Sequence, residues 1–428
     1  NLATNGLGGI GASGSGENGQ GVGGAIFARD ASLTLVSPTF SGNVASTAAD
    51  SSFTPTTLVV TSLADSGAGT LRNLIGYANT NADANTIVFA NSLSGQTITL
   101  TSGHITLSNS LWIDASSLPG GIQVNANHNS RILYAASGST GMVDSVTLAN
   151  GSAAGTNGGA VLNRGMLTFD RCSFAANSAH SGGAIYNDTG GNLTIQRCTL
   201  SGNQAGFEAG AIYNRAALSL IDTTVSANTT PSSKVIIYNE FGVLNLANTI
   251  VAGNSGSAMA DIENLGTLNF NGMNLVKTVL YWGVQNGPLP LSADPLLAPL
   301  GNYGGPTPTM PPMPGSLAID TGTVQSFSTD QRGYPRPIGL LDIGAVEGVF
   351  NPAFPLSGVT KQGNGSFRFS FSNLSGPGYS ILASTNVAAP LNTWVNLGPA
   401  VEAPPGTFQF TDTQATNYPL RFYQVRGP

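Results

Sequence analysis

An alternating apolar pattern recurs along the chain about every 25 residues. Counting back 10, 8 and 3 positions from each of five asparagines gives fifteen residues, and all of them are apolar. The asparagines are Asn43, Asn177, Asn203, Asn228 and Asn254, and the last four are 26, 25 and 26 residues apart. Two apolar positions at a period of two, then a turn and a third inward position, describe two short strands that meet at a corner.

A glycine-rich phrase precedes each of these units and supplies a third strand. It reads Gly-Gly-Ala-Ile-Tyr-Asn from Gly182, with variants from Gly23, Gly158, Ala209 and Val235. One such unit cannot bury its apolar face alone, but stacked units can. The pattern therefore predicts an all-β chain built on a right-handed parallel β-helix with three short strands per coil. A leucine-rich repeat has a similar length, but its Leu-x-x-Leu-x-Leu-x-x-Asn phrase does not fit.

The repeats divide the chain into segments. Residues 58–284 are predicted to form a capped β-helix, whose cap combines the Asp65–Arg72 motif with a short helical stretch at 73–78. Residues 285–347 are irregular and rich in proline and glycine, and we expect them to cover the far end. Residues 348–428 alternate with more aromatic residues, which predicts a small antiparallel β-sandwich.

Residues 1–45 contain one complete coil ahead of the cap, joined to it by a polar linker at 46–57. A lone coil would leave its strands unpaired and its apolar face in water. Three interpretations follow: it ends a longer solenoid that was cut, it folds back on its own helix, or it adds to the open end of a neighbouring subunit. The third would give a head-to-tail fibre.

Composition narrows the classes of partner. Charged residues make up 8% of the chain and the net charge is −6, so no basic patch is present to neutralise nucleic-acid phosphates. No apolar run is long enough to span a bilayer. The chain begins at Asn1 without a basic and apolar leader, from which we expect that a signal peptide or a longer N-terminal part has been removed.

Several motifs resemble those of bacterial choice-of-anchor Q surface proteins. They are Asp65-Ser-Gly-Ala-Gly-Thr-Leu-Arg72, the Gly-Gly-Ala-Ile-Tyr-Asn coils, and a closing set that includes Asp330-Gln-Arg-Gly333 and Asp342-Ile-Gly-Ala345. The coils also resemble the repeats of chlamydial polymorphic outer-membrane proteins. The resemblance implies display outside a bacterial cell and transfers no catalytic residues. No anchor is evident after the sandwich, which makes release or self-assembly the expectation.

The densest charge group is the candidate binding site. It contains Asp320, Asp330, Arg332, Arg336 and Asp342 in the irregular segment. Buried Arg–Asp pairs would hold such a segment together, and a ligand or calcium site is the alternative. No sequence motif requires calcium or another cofactor, and His104, His128 and His180 share no metal-ligand spacing.

Other polar residues fit a scaffold. Asn177, Asn203, Asn228 and Asn254 are expected to form a ladder along one corner, and Cys172 and Cys198 to stack in adjacent coils, either as a disulfide or as buried thiols. Arg171 and Arg197 share a column with Asp222. The turn residues Asp188, Glu208 and Glu240 are interpreted as solvated acids.

The sequence favours a non-enzymatic extracellular protein of a bacterial surface, structural or adhesive, that associates with itself through its N-terminal coil. A polysaccharide lyase or glycosidase with a groove along the helix is one alternative. A glycan-binding module is another, in which Trp394 of the sandwich stacks on sugar. Exposure of Trp394 would distinguish binding from packing.

Overall fold

The computed structural model of the chain describes two kinds of region. The first is a set of short backbone strands at 2–3, 10–11, 14–15, 34–35 and 44–45. The second comprises residues 57–80, 85–230, 234–256, 260–323, 326–337, 339–350, 354, 356–376, 378–387, 389 and 393–426.

The predicted parallel β-helix is confirmed, with about eight turns. Its coils contribute strands to three long sheets, and five coils add a short strand to a fourth sheet, which the sequence pattern did not predict. The strands of sheet 1 are Thr34–Leu35, Thr57–Val60, Asn85–Phe89, Leu111–Asp114, Thr140–Asp144, Met166–Asp170, Asn192–Gln196, Ala217–Ile221, Val243–Ala247, Thr267–Phe270 and Val284–Asn286.

The other three sheets complete each coil. The strands of sheet 2 are Gln96–Thr99, Ile122–Asn125, Val146–Ala149, Ser173–Ala175, Thr199–Ser201, Thr224–Ser226, Ile250–Val251 and Leu275–Val276. Those of sheet 3 are Ile105–Leu107, Leu133–Ala135, Val161–Asn163, Ile185–Asn187, Ile212–Asn214, Val235–Asn239, Ala260–Asn264 and Val279–Tyr281. Those of sheet 4 are Ser152–Asn157, Ser178–Ser181, Gln204–Glu208, Thr229–Thr230 and Ser255–Gly256.

The core is a set of aliphatic and aromatic columns along the bore. In sheet 1, Leu167, Leu193, Leu218 and Leu244 form one column, and Phe169, Ile195, Leu220 and Leu246 form the next. All eight side chains are buried. Each fully buried side chain of this kind contributes about 1.5–3 kcal/mol, so the stacked repeat, not the single coil, is the stable unit.

The glycine pair of the repeated phrase has a steric cause. Gly182 has a φ of +63°, and a Cβ on Gly183 would lie 2.2 Å from the carbonyl oxygen of Gly210 in the next coil. The first glycine therefore makes a left-handed turn, and the second lets two coils approach each other. In the following coil Ala209 takes the first position, with a φ of 60°.

A helix at Leu71–Thr80 and the loop before it cap the N-terminal end. One carboxylate oxygen of Asp65 accepts hydrogen bonds from Arg72 at 2.9 and 2.8 Å. The other accepts from the backbone N–H groups of Thr101 and Ser102 at 2.9 and 2.7 Å. The motif thus fastens the cap to the next coil, and Asn79 bonds Thr106 O and Ser108 N at the start of sheet 3.

The irregular segment 285–347 lies elsewhere than predicted. It crosses the last coil, where Leu291 bridges Leu275, and then runs back along sheet 2 as far as Gly121. A Cβ on Gly121 would lie 1.7 Å from the carbonyl oxygen of Pro306. We expected this segment to cover the far end, whereas most of it lies along the outer face of sheet 2, where four successive outward residues are small enough to seat an irregular chain.

That outer face was readable in the sequence. Its column consists of Thr147, Ser173, Thr199, Thr224, Ile250 and Leu275, and all six are buried. Small hydroxyl residues at successive outward positions of one sheet, in place of longer polar ones, indicate a face that another segment covers.

The C-terminal sandwich is confirmed as two packed antiparallel sheets. One has the strands Leu356–Lys361, Phe367–Ser372, Thr407–Asp412 and Val401–Glu402, and the other Val395–Pro399, Ser380–Ser384 and Phe422–Arg426. Phe369, Phe371, Tyr379 and Phe408 are buried at its centre. Arg332 Nη1 of the irregular segment donates to Ser375 O of the sandwich at 2.9 Å.

The N-terminal segment is described only as backbone strands. Thr34–Leu35 pairs in parallel with Thr57–Val60 and so extends sheet 1 by one strand within the same chain. Leu2–Ala3 pairs with Val44–Ala45, and Ile10–Gly11 with Gly14–Ser15. The glycine phrase from Gly23, and the predicted inward positions Leu33 and Phe40, lie outside the described residues.

Candidate functional site

The corner between sheets 1 and 2 carries ion pairs from coil to coil. Arg171 binds Asp144 of the preceding coil, with Nε at 3.0 Å from Oδ1, and Arg197 binds Asp170 in the same way at 2.8 Å. A left-handed backbone recurs at this corner in Ser145, Arg171, Arg197, Asp222 and Asn248. Burial raises the pKa of Asp144 despite its arginine partner. These carboxylates are engaged by arginine, which fits a scaffold better than a hydrolase pair.

Gln331 anchors the irregular segment to sheet 2. Its Oε1 accepts hydrogen bonds from the hydroxyls of Thr199 at 2.6 Å and Thr309 at 3.0 Å. Its Nε2 donates to the carbonyl oxygen of Cys172 at 3.3 Å and to Thr307 at 3.0 Å. One buried amide therefore joins two coils to the segment that covers them.

Asp330 and Arg332, two of the candidate binding residues, form a closed structural unit. Arg332 donates to Asp330 Oδ2 from Nε at 2.9 Å and from Nη2 at 2.7 Å, and neither side chain is exposed to solvent. Asp330 Oδ1 also accepts from the backbone N–H of Tyr334, and Arg332 donates to Glu347 O. The pair holds the turn and leaves no surface that a ligand reaches.

Arg336, Asp342 and Asp320 lie beside that unit. Arg336 binds Asp222 of the solenoid at 3.1 Å and donates to the carbonyl oxygens of Gly344 and Asp342 at 2.8 and 2.6 Å. Asp342 Oδ1 accepts from Asp320 N at 2.8 Å. Burial raises the pKa of both Asp222 and Asp342. Of the five charged candidates, Asp320 is the one whose side chain is exposed.

Two asparagine ladders run along the solenoid. In the first, Nδ2 of each member donates to Oδ1 of the next at 2.9, 2.8 and 3.1 Å, through Asn177, Asn203, Asn228 and Asn254. The second consists of Asn163, Asn187, Asn214, Asn239 and Asn264, at 2.8, 2.8, 2.7 and 2.6 Å. Sequence analysis missed the second ladder, although the Ile-Tyr-Asn phrase marks three of its members.

The two cysteines are free and buried. Cys172 and Cys198 continue as Thr223 and Thr249 in the following coils, and all four side chains donate to a carbonyl of the preceding coil. Burial raises the pKa of the Cys198 thiol well above its usual value. The column therefore serves as a hydrogen-bonded filler.

A column of alternating charge runs beside stacked tyrosines on the outside of sheet 3. Arg164 binds Asp188 at 2.9 Å, and Arg215 binds Asp188 at 3.4 Å and Glu240 at 2.8 Å. The neighbouring Tyr186, Tyr213 and Tyr238 have ring centroids 4.7 and 5.0 Å apart. Asp188 and Glu240, interpreted from the sequence as solvated turn acids, are thus members of an ion-paired column. Glu208 pairs with Lys234 at 3.5 Å.

Trp394, the sandwich candidate for glycan stacking, is half-buried, and its Nε1 donates to Ala389 O at 2.9 Å. Its indole N–H is thus used within the domain.

A groove of ≈ 310 Å³ lies at the corner where sheet 4 begins. In one coil the chain turns tightly at Asn127–Ser130, whereas in the next coil the same corner carries the additional strand Ser152–Asn157. We call the groove between the turn and this strand the ledge. His104, His128 and Arg131 line this ledge. Two of the three histidines therefore border one groove although their spacing in sequence fits no metal site.

At the C-terminal end of the solenoid, no described residue pairs with the outer edges of sheets 3 and 1. Val279–Tyr281 and Val284–Asn286 are the last strands of sheets 3 and 1. Around them Tyr281, Trp282 and Leu289 are 42%, 72% and 71% exposed. Edge strands with large apolar neighbours readily pair with another chain.

Comparison of the chain with protein-family models and with curated protein sequences found no match. Within the described ranges, no helix is long and apolar enough to cross a membrane. Across those same ranges, no three residues of the types His, Cys, Asp and Glu are grouped as metal ligands.

Proposed function

We propose that this chain is a non-enzymatic structural or adhesive protein of a bacterial surface, whose copies associate end to end. The observation that carries the proposal is the open C-terminal end of the solenoid. Among the described residues, the last strands of sheets 3 and 1 each pair with one strand, and Trp282 stands 72% exposed beside them. Such an end is either covered by a partner or prone to aggregate.

The partner that fits this end is a second copy of the chain. The end presents the edges of two strands that belong to one coil. A parallel coil of the same size can hydrogen-bond with both edges at once. Residues 23–45 carry that repeat in sequence. Their strand Thr34–Leu35 already forms the opposite edge of sheet 1, so sheet 1 of one copy continues into that of the next. The contact is heterologous and builds a filament.

Extracellular display rests on the resemblance of three motifs to choice-of-anchor Q proteins. Each motif has a structural role in the solenoid. Asp65 and Arg72 attach the cap, the glycine pair lets adjacent coils approach, and Asp330 and Arg332 hold a turn of the covering segment. The polysaccharide-cleaving alternative gains no support from Asp144 and Asp170, since arginines occupy both.

Electron microscopy and sedimentation of the full chain at physiological salt test the proposal. We expect filaments from the wild type, and their loss in Val284→Lys, which places a charge on the open edge, and on deletion of residues 1–45. Val359→Lys is the matched control, an exposed valine on an edge strand of the sandwich. Single rods at every concentration, or filaments that survive both changes, would contradict end-to-end association.

A further inference from the structure

Arg131 on the ledge is an arginine that lacks a carboxylate partner among the described residues. It donates from Nε to Gly158 O at 2.9 Å and from Nη2 to Asn157 O at 2.7 Å, and both acceptors are neutral. The neighbouring solenoid arginines Arg72 and Arg164 are paired with carboxylates at 2.8 and 2.9 Å. Partial burial of a guanidinium without a counter-charge costs free energy, and a bound anion would offset that cost by pairing with the guanidinium.

The surroundings of Arg131 add two imidazole side chains and no negative charge. His104 and His128 line the same groove, and the groove has no acidic residue in its lining. Burial, followed by the charges of Arg131 and Arg72, lowers the pKa of His104. The site therefore presents one guanidinium and two imidazoles, with no carboxylate in its lining, on a chain whose net charge is −6. A neutral imidazole still carries one N–H that can donate a hydrogen bond.

The remaining lining is polar and shallow. Asn129, Ser152 and Thr156 border the groove and offer amide and hydroxyl groups. Groups of this type exchange hydrogen bonds with sugar hydroxyls. The basic cluster is small and isolated, unlike the extended basic surface that a nucleic acid requires.

We propose that the ledge of His104, His128 and Arg131 binds an anionic group, carboxylate or sulfate, on an acidic polysaccharide. The guanidinium of Arg131 pairs with the anion, and the side chains of Asn129, Ser152 and Thr156 hydrogen-bond with the adjoining sugar hydroxyls. The site is on the flank of the solenoid, so it goes beyond end-to-end association and does not depend on it.

Binding of the full chain to polygalacturonate, dextran sulfate and neutral dextran tests this proposal. We expect both acidic polymers to bind and neutral dextran not to, with an affinity that falls as salt rises. The two acidic polymers distinguish a carboxylate from a sulfate ligand. Arg131→Gln should lower the affinity at least about tenfold, which corresponds to one charge-assisted contact.

Two further variants keep the test decisive. Ala154→Asp adds a carboxylate at an exposed position of the groove and should abolish binding even if Arg131→Gln impairs folding. Arg368→Gln removes an exposed arginine from the sandwich and should bind like the wild type. Filament formation should be unchanged in all three. Equal binding of neutral dextran, absence of binding to either acidic polymer, or full affinity in Ala154→Asp would overturn the proposal.

Discussion

Asp222 of the solenoid and Arg336 of the irregular segment form an ion pair at 3.1 Å, and both side chains are fully buried. The two residues are 114 positions apart in sequence. Arg336 also donates to two backbone carbonyls of its own segment, so this one contact fixes the segment against sheet 2.

Removing one partner should therefore release the covering segment. We expect Arg336→Ala to cost about 3–5 kcal/mol, because it removes the buried cation that pairs with both Asp222 and Glu347. Asp222→Ala should cost less, because Arg336 keeps Glu347 Oε2 at 3.7 Å. The double change Asp222→Leu with Arg336→Met should cost less than the sum of the two single changes, because it removes both members of the buried pair. Denaturant unfolding measures the stability, and limited proteolysis within 326–337 reports release. Additive costs in the double variant would contradict the assignment.

The glycine pair offers a sharper steric test. Gly183→Ala should be strongly destabilising, because the new Cβ would lie 2.2 Å from the carbonyl of Gly210. Gly206→Ala is the control: it also lies in a coil, but its nearest neighbour would be at 3.7 Å. We expect a loss of several kcal/mol for the first and less than about 1 kcal/mol for the second, measured by thermal unfolding. Equal losses would show that close approach of coils is not the reason for the glycine.

The solenoid could be predicted because its core repeats in sequence. Leu193 and Leu218 are paired residues of adjacent strands and are also equivalent positions of the repeat, so counting along the chain finds the contact. The same applies to the first asparagine ladder and to the two cysteines. The fourth sheet was missed because its strands are short, polar and unequal in length.

The position of the irregular segment and the partners of its charged residues could not be predicted in the same way. Asp330, Arg332 and Arg336 have no period, and their partners include Asp222 and Ser375, in distant parts of the chain. The ledge was missed for a related reason: His104 and His128 lie before paired strands of adjacent coils but do not hold equivalent positions of the repeat, so counting along the chain does not bring them together. Contacts that recur with the repeat leave a period in the sequence, whereas a contact that occurs once leaves none.

The cap should loosen in acid through Asp65. Burial would raise the pKa of this carboxyl, but hydrogen bonds from Thr101, Ser102 and Arg72 outweigh it and bring the pKa to about 2. An unfolded aspartate titrates near ~3.9, so the folded state favours the ionised form. The resulting stabilisation is present above about pH 5 and is lost as the pH falls through about 2.

The melting temperature of Asp65→Asn should reveal this titration. We expect the variant to melt below the wild type at pH 7, and the gap to narrow below about pH 5 and to close only below about pH 2. Asp320→Asn, which alters an exposed aspartate, should follow the wild type throughout. A gap that stays constant with pH would mean that the ionised carboxylate does not fasten the cap.

The thiol of Cys198 should be replaceable by a threonine hydroxyl. Cys198 Sγ donates to Phe169 O, and in the next coil Thr223 Oγ1 donates to Ile195 O at 3.2 Å from the equivalent position. Because the backbone already accepts either residue in this column, Cys198→Thr should cost less than about 1.5 kcal/mol. Cys198→Leu should cost about 1–3 kcal/mol or more, since it overfills a fully buried site. Iodoacetamide at pH 8 should label neither cysteine in the folded wild type and both after denaturation without reductant. A denatured chain that stays unlabelled and is two hydrogens lighter would show instead a disulfide between Cys172 and Cys198.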